Sequence, residues 1–186
     1  MDQLERAADE IGFGSARVIE VEPGTCSAGA WANLTITRWQ NRATGPAVER
    51  VARVSREIRA AYPNGISSVH LLCEGTGLPT PEGREGLMRL MNSQVEQLAC
   101  VAIVIGGSGF WASAIRSMIT GLRSMSSRAY ELKLMGSIDE VAAWVPGVHT
   151  RRTGVAIRND SLARALAVAN QWDARTQADS LTDVEC

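Results

Sequence analysis

The chain has 186 residues, the size of one domain with room for a short added segment. Apolar residues make up 45% of it and charged residues 21%, an ordinary balance for a globular protein. The net charge of -1 gives no electrostatic reason to expect nucleic acid or an anionic membrane as a partner. No long apolar run predicts a membrane span, and the charged N-terminus lacks the apolar stretch of a secretory signal. We therefore expect a cytoplasmic protein.

The first elements are predicted from short patterns of alternation. Residues 2–10 are predicted to form a short polar helix. Residues 16–22 alternate weakly, and residues 31–39 alternate clearly between two faces, which is typical of strands. The glycine-rich stretch between these two segments predicts a long, turn-rich loop. The two segments are therefore expected to pair as antiparallel neighbours.

The tryptophans of the second predicted strand suggest a possible contact surface. Strand geometry places Trp31 and Trp39 on one face, with Asn33, Thr35 and Thr37 between them. A polar face between two aromatic side chains would suit a partner protein, because aromatic residues anchor interfaces. The alternative is that both tryptophans pack beneath helices.

The rest of the chain alternates between helical and apolar strand-like segments. Apolar runs predict three further strands, over residues 66–75, over the six or seven apolar residues that begin at position 100, and over residues 130–135. Helical spacing predicts helices over residues 44–61, 81–99, 110–125 and 159–174. A short helix is predicted from Ser137, which forms a capping box with Glu140. Residues 146–153 are predicted as a loop, and residues 175–186 as a frayed tail.

This order of elements predicts an α/β fold with a mixed β-sheet and flanking helices. The expected order is β-β-α-β-α-β-α-β-α, followed by a C-terminal helix. We divide the chain into an N-terminal arm (1–15), an α/β domain (16–150) and a C-terminal helix and tail (151–186).

The cysteines and histidines predict no metal site. The cysteines are far apart and form no Cys-x-x-Cys pair: Cys26, Cys73, Cys100 and Cys186. Cys73 and Cys100 lie in apolar strand-like runs, which indicates buried thiols in a reducing compartment, with a disulfide or a reactive thiol as the alternative. His70 and His149 are far apart in sequence and have no neighbouring thiols, so they make a poor zinc site. No cofactor and no catalytic residue is assigned.

The segment that follows the first central strand carries a short motif. It reads Glu74-Gly75-Thr76-Gly77-Leu78. This motif and the order of elements resemble the STAS domain, the SpoIIAA-like fold of anti-sigma-factor antagonists, which shares its outline with a group of lipid-binding domains. That family usually has Asp where this chain has Glu74 and a hydroxyl residue where it has Gly75.

The resemblance implies a non-catalytic regulatory domain that acts through protein–protein contacts. It implies phosphorylation at Thr76 or Thr80, which would add negative charge near a helix N-terminus. The expected partner surface comprises Trp31, Trp39, Glu74 and Gly77. The alternative is that the threonines are turn or cap residues, since Thr80 before Pro81 also reads as a helix N-cap.

A second motif, Gly107-x-Gly109-x-x-Ala112, matches the glycine pattern of dinucleotide-binding turns. That function also needs an acidic residue at the C-terminal end of the next strand. Here that end reads Leu134-Met135-Gly136, without a carboxylate. We therefore interpret the motif as a tight corner between a strand and a helix.

Three functions remain open from the sequence. The first is the STAS-like protein-binding domain, and the second is a small-molecule or lipid-binding domain of related fold. The third is a nucleotide-dependent enzyme that uses the glycine turn. A pocket of several hundred Å³ between the sheet and the helix 110–125 would favour the second. Self-association is compatible with each of them.

Overall fold

The structure is a computed structural model that describes residues 14–93, 96–106, 109–125 and 130–173. The predicted N-terminal helix and C-terminal tail lie outside these residues. A six-stranded mixed sheet forms its centre, with the strands side by side in chain order. The strands are β1 (Arg17–Glu22), β2 (Cys26–Trp31), β3 (Leu34–Trp39), β4 (Ile66–Leu72), β5 (Leu98–Ile105) and β6 (Glu131–Met135). The first three are antiparallel, and β3 to β6 are parallel. The predicted α/β class with a mixed sheet is confirmed.

The predicted loop between the first two strands is wrong. Its second half is β2, which pairs with both β1 and β3, so the two predicted strands do not pair with each other. All six residues of β2 are buried, and most are small, so the strand lacks the alternation by which a half-exposed strand is recognised. Position 29 requires glycine, because a Cβ there would overlap the carbonyl oxygen of Arg17.

Within the described residues, five helices cover the two faces of the sheet. They are α1 (Gly45–Ala61), α2 (Pro81–Ser93), α3 (Phe110–Met125), α4 (Ile138–Thr153) and α5 (Asn159–Ala169). Helices α1, α2 and α3 contribute to one hydrophobic core, and α4 and α5 contribute to the other. The three helices that connect successive parallel strands all lie on one face, as crossovers of one hand require. The two helices that follow the last strand cover the opposite face.

The predicted loop over residues 146–153 is also wrong. These residues continue α4, which begins after the N-cap Ser137 and ends at Gly154 with a φ of +75°. Pro146 lies inside the helix. The helix continues past Pro146 because residues on both sides of it are buried in the core: Val145, Val148 and His149. The helix crosses residue 150, and the proposed division of the chain there stays a prediction.

Helix α2 lies unusually close to the start of α1. A Cβ at Gly83 would overlap the carbonyl oxygen of Ala43, and a Cβ at Gly86 would lie 3.1 Å from a methyl carbon of Val48. The amide of Thr80 also donates to the Ala43 carbonyl, at 3.0 Å. These contacts hold the first turns of α2 against the start of α1.

The close approach of α2 can be tested with Gly83→Ala. We expect a loss of roughly 1–2 kcal/mol in the free energy of unfolding, because steric overlap costs about 1–3 kcal/mol while helix propensity returns up to about 1 kcal/mol. Chemical denaturation provides the measurement. Gly147→Ala is the control, since its added methyl group would meet only the end of the Arg151 side chain, at 3.7 Å. Equal stability of the two variants would contradict the close packing.

Candidate functional site

A cavity lies between the sheet and helices α1, α2 and α3. Its volume is about 110 Å³. The sheet supplies its floor, including Val101 and Ile103 of β5. The helices supply the apolar side chains Leu87, Leu90, Met91, Ile115, Met118 and Ile119. A cavity of this composition excludes water readily and suits an apolar group.

Polar side chains of β3 and β4 form a hydrogen-bonded row on the same face of the sheet. Parallel pairing places Thr35 beside Ser68 and Thr37 beside His70. The hydroxyl of Thr35 donates to Ser68 Oγ at 3.0 Å. The indole N–H of Trp39 donates to His70 Nδ1 at 3.3 Å, and His70 Nε2 lies 3.1 Å from Ser68 Oγ. Trp39, Ser68 and His70 line the cavity.

These hydrogen bonds define the protonation state of His70. Burial lowers the pKa of His70 from 6.5 to about 4, so the imidazole is neutral at pH 7. Its Nδ1 accepts the Trp39 N–H and therefore carries no hydrogen. The hydrogen is on Nε2, which donates to Ser68 Oγ. His70 therefore supplies no positive charge to the cavity.

Two further hydroxyl groups reach the cavity from other elements. Ser55 of α1 is 2% exposed, and its hydroxyl has no hydrogen-bond partner within the described residues. Thr76 is 4% exposed, and its hydroxyl lies 2.7 Å from the Cys73 carbonyl oxygen and 3.1 Å from that of Trp39. The Thr76 hydroxyl is therefore bound to the protein, whereas that of Ser55 remains available to a ligand.

The predicted tryptophan surface is wrong. Trp31 and Trp39 are each 5% exposed, and they belong to the two different cores. Trp31 ends β2 rather than beginning β3, so strand alternation does not relate the two residues as expected. The alternative that both pack beneath helices is confirmed.

The segment after β4 contains the other predicted site residues. Glu74 and Gly75 are exposed, and Gly77 lines the cavity. Thr80 is half-buried, and its hydroxyl accepts the backbone N–H of Gly83 at 3.1 Å, which confirms the N-cap interpretation. Phosphorylation at Thr76 or Thr80 stays a prediction, and Thr76 must leave its buried position before modification.

The glycine turn lies partly outside the described residues, at positions 107 and 108. Gly109 has a φ of +89°, which fits a tight corner before α3. Ala112 is buried in the core between α3 and the sheet. Nucleotide binding at this turn stays a prediction.

A second polar network lies on the opposite face of the sheet. Ser67 Oγ lies 2.8 Å from His149 Nδ1, and His149 Nε2 lies 2.9 Å from Asn33 Oδ1. The thiol of Cys100 donates to Ser67 Oγ at 3.3 Å, and Asn33 Nδ2 donates to the Gly65 carbonyl at 3.0 Å. A serine beside a histidine and an amide can act as a nucleophile in hydrolases. Here all four side chains are fully buried, so this network holds α4 on the sheet and offers no access to a substrate.

The sequence analysis missed this network because its members are far apart in the chain and His149 was placed in a loop. The cysteine prediction holds in part. Cys100 is fully buried, and burial raises the pKa of its thiol to about 11, whereas Cys73 is only half-buried. Within the described ranges no three metal-ligating side chains come together, and no helix has the length and apolar character to cross a membrane.

Comparisons with known proteins give no family. No family model and no curated protein matches the sequence. Among solved structures, the β subunit of geranyl-CoA carboxylase from P. aeruginosa is similar to this chain with a TM-score of 0.34 and 16% identity. The match covers 90% of this chain and 38% of that subunit, so the chain spans well under half of the subunit's length. A likeness at this TM-score carries no statement about activity.

The burial of His149 predicts a loss of stability in acid. Burial lowers the pKa of His149 from 6.5 to about 4, so between these values the unfolded chain binds more protons than the folded chain. Stability therefore falls as the pH is lowered through this window, by roughly 2–3 kcal/mol at pH 4.5 for His149. Urea unfolding at pH 7 and pH 4.5 measures the loss. The loss in the free energy of unfolding between these two pH values should be smaller in His149→Gln. An equal loss in that variant would show that His149 is not its source.

Proposed function

We propose that this chain is a non-catalytic binding domain that holds a small, largely apolar molecule in the cavity between the sheet and α1–α3. The observation that carries the proposal is the cavity itself, which has apolar walls from α2, α3 and β5 and few polar groups. Ligand sites have this composition. The cavity lies beneath α3, where a ligand pocket was expected, but its volume is below the several hundred Å³ expected there.

The size of the cavity limits the ligand. Its volume of about 110 Å³ is smaller than the several hundred Å³ of sites for drug-sized molecules. A dry apolar cavity of about 150 Å³ is known to hold benzene. The ligand is therefore the size of a single ring or a short alkyl chain, or it places such a group in the cavity. A ligand with so few atoms is expected to bind with a Kd of about 0.1–1 mM.

Two substitutions on α2 test whether the cavity binds ligands. Met91 lines the cavity, whereas Met88 on the same helix does not. In the unmodified protein, toluene at millimolar concentration should raise Tm, because a ligand that binds only the folded state stabilises it. We expect Met91→Trp to abolish this increase by filling the cavity, and Met88→Trp to keep it. Each variant is compared with its own Tm without toluene. An equal response of both variants, or none in the unmodified protein, would count against the proposal.

The second candidate function is protein contact through residues 74–78, as the STAS resemblance implies. One observation favours it: Leu78 is 42% exposed, beside the exposed Glu74 and Gly75. Binding residues are found disproportionately on surface loops. Thr80 is two residues further on and is more accessible than Thr76, so it is the better candidate for modification.

Phosphopeptide analysis of the protein isolated from its own host tests this second function. Phosphate at Thr80 should add negative charge at the N-terminus of α2, where the helix dipole stabilises it. A modified Thr80 with an unmodified Thr76 is the expected result. Absence of phosphate from both threonines across growth conditions would contradict regulation of this loop by phosphorylation, and with it this candidate function.

A further inference from the structure

The walls of the cavity hold hydroxyl groups but no charged side chain within the described residues. Ser68 lies on the sheet side and Ser55 on the helix side. Isolated polar groups in an apolar site are costly when they lack partners. These hydroxyl groups therefore indicate that the ligand has a group that can form hydrogen bonds.

Ser68 can donate one hydrogen bond to a ligand. Its oxygen accepts from Thr35 at 3.0 Å and from the Nε2–H of His70 at 3.1 Å. Both lone pairs of the oxygen are then used, and the hydroxyl hydrogen has no acceptor within the part of the chain that the structure describes. Because Trp39 holds the tautomer of His70, the hydrogen bond from His70 to Ser68 is defined by the protein before a ligand enters.

Ser55 is the second polar group. Serine in a helix commonly donates to a backbone carbonyl one turn earlier, but this hydroxyl makes no such bond, although Thr120 in α3 bonds to Arg116 in that way. Ser55 is 2% exposed and lines the cavity. Its hydroxyl can both donate and accept.

Resting on the proposed function, we propose that the ligand is a neutral molecule with an apolar body of about one ring and one oxygen function, an alcohol or a carbonyl. The oxygen accepts a hydrogen bond from Ser68, and Ser55 is a second partner from the opposite wall. A carboxylate or an ammonium group is excluded by its desolvation cost, since the lining holds no opposite charge and His70 is neutral.

Three probes of similar size separate these properties at pH 7: phenol is neutral with a hydroxyl, toluene is neutral and apolar, and benzoate is charged. Their affinities for the full chain are measured by ligand-observed NMR titration. We expect phenol and toluene to bind and benzoate not to bind. Ser55→Ala and Ser68→Ala should each weaken phenol by about 2- to 10-fold while leaving toluene unchanged or slightly tighter. Ser113→Ala, on the exposed side of α3, is the control and should change neither affinity.

The outcomes separate the two proposals. Toluene binding with no effect of either serine on phenol, or tighter binding of benzoate, overturns the neutral-oxygen ligand and leaves the proposed function standing. Failure of every probe to bind the folded protein overturns both. Ser68→Ala also removes an acceptor from His70 and Thr35, so a loss of folding is a possible result for it. In that case Ser55→Ala decides the test, because this hydroxyl has no protein partner in the described residues to lose.

Discussion

The parallel pairing of β3 with β4 is the constraint on which both polar networks depend. It places Leu34 beside Ser67 and Thr35 beside Ser68, so consecutive residues of β4 serve opposite faces of the sheet. A shift of one residue would turn Ser68 and His70 away from the cavity and bring Ser67 into it. The register is reinforced from both sides, by the hydrogen bond between Thr35 and Ser68 and by the backbone bond from Ser67 to Asn33.

The two neighbouring serines differ in function because of what covers them. Ser67 is enclosed beneath α4, where His149 and Cys100 satisfy its hydroxyl, so it contributes to stability. Ser68 lies on the face covered by α1, α2 and α3, where it lines the cavity. A polar group that keeps one unused hydrogen bond next to an apolar cavity is poorly explained by stability alone. It is well explained by a ligand, which is why the cavity and not the buried histidine network carries our functional proposal.

Local sequence signals predicted much of the fold. The helices that begin near residues 45, 81 and 110 and the strands β4, β5 and β6 appear where periodicity and apolar runs placed them, and Thr80 caps α2 as its Thr-Pro pair indicated. The failures have physical causes. Strand β2 is made of small residues buried on both faces, and α4 continues past a proline because tertiary packing outweighs the local signal. The cavity and both networks were not predictable, since they join residues that only the strand register brings together.

The central claim is that the space between the sheet and α1–α3 is a site for a small neutral molecule. A crystal structure of the full chain soaked with phenol tests it most directly. We expect electron density for one ring in the cavity, with its oxygen within about 3 Å of Ser68 Oγ, and the hydrogen bonds among Trp39, His70 and Ser68 unchanged. A cavity filled by the helices' own side chains, or phenol found only on the surface, would contradict the account.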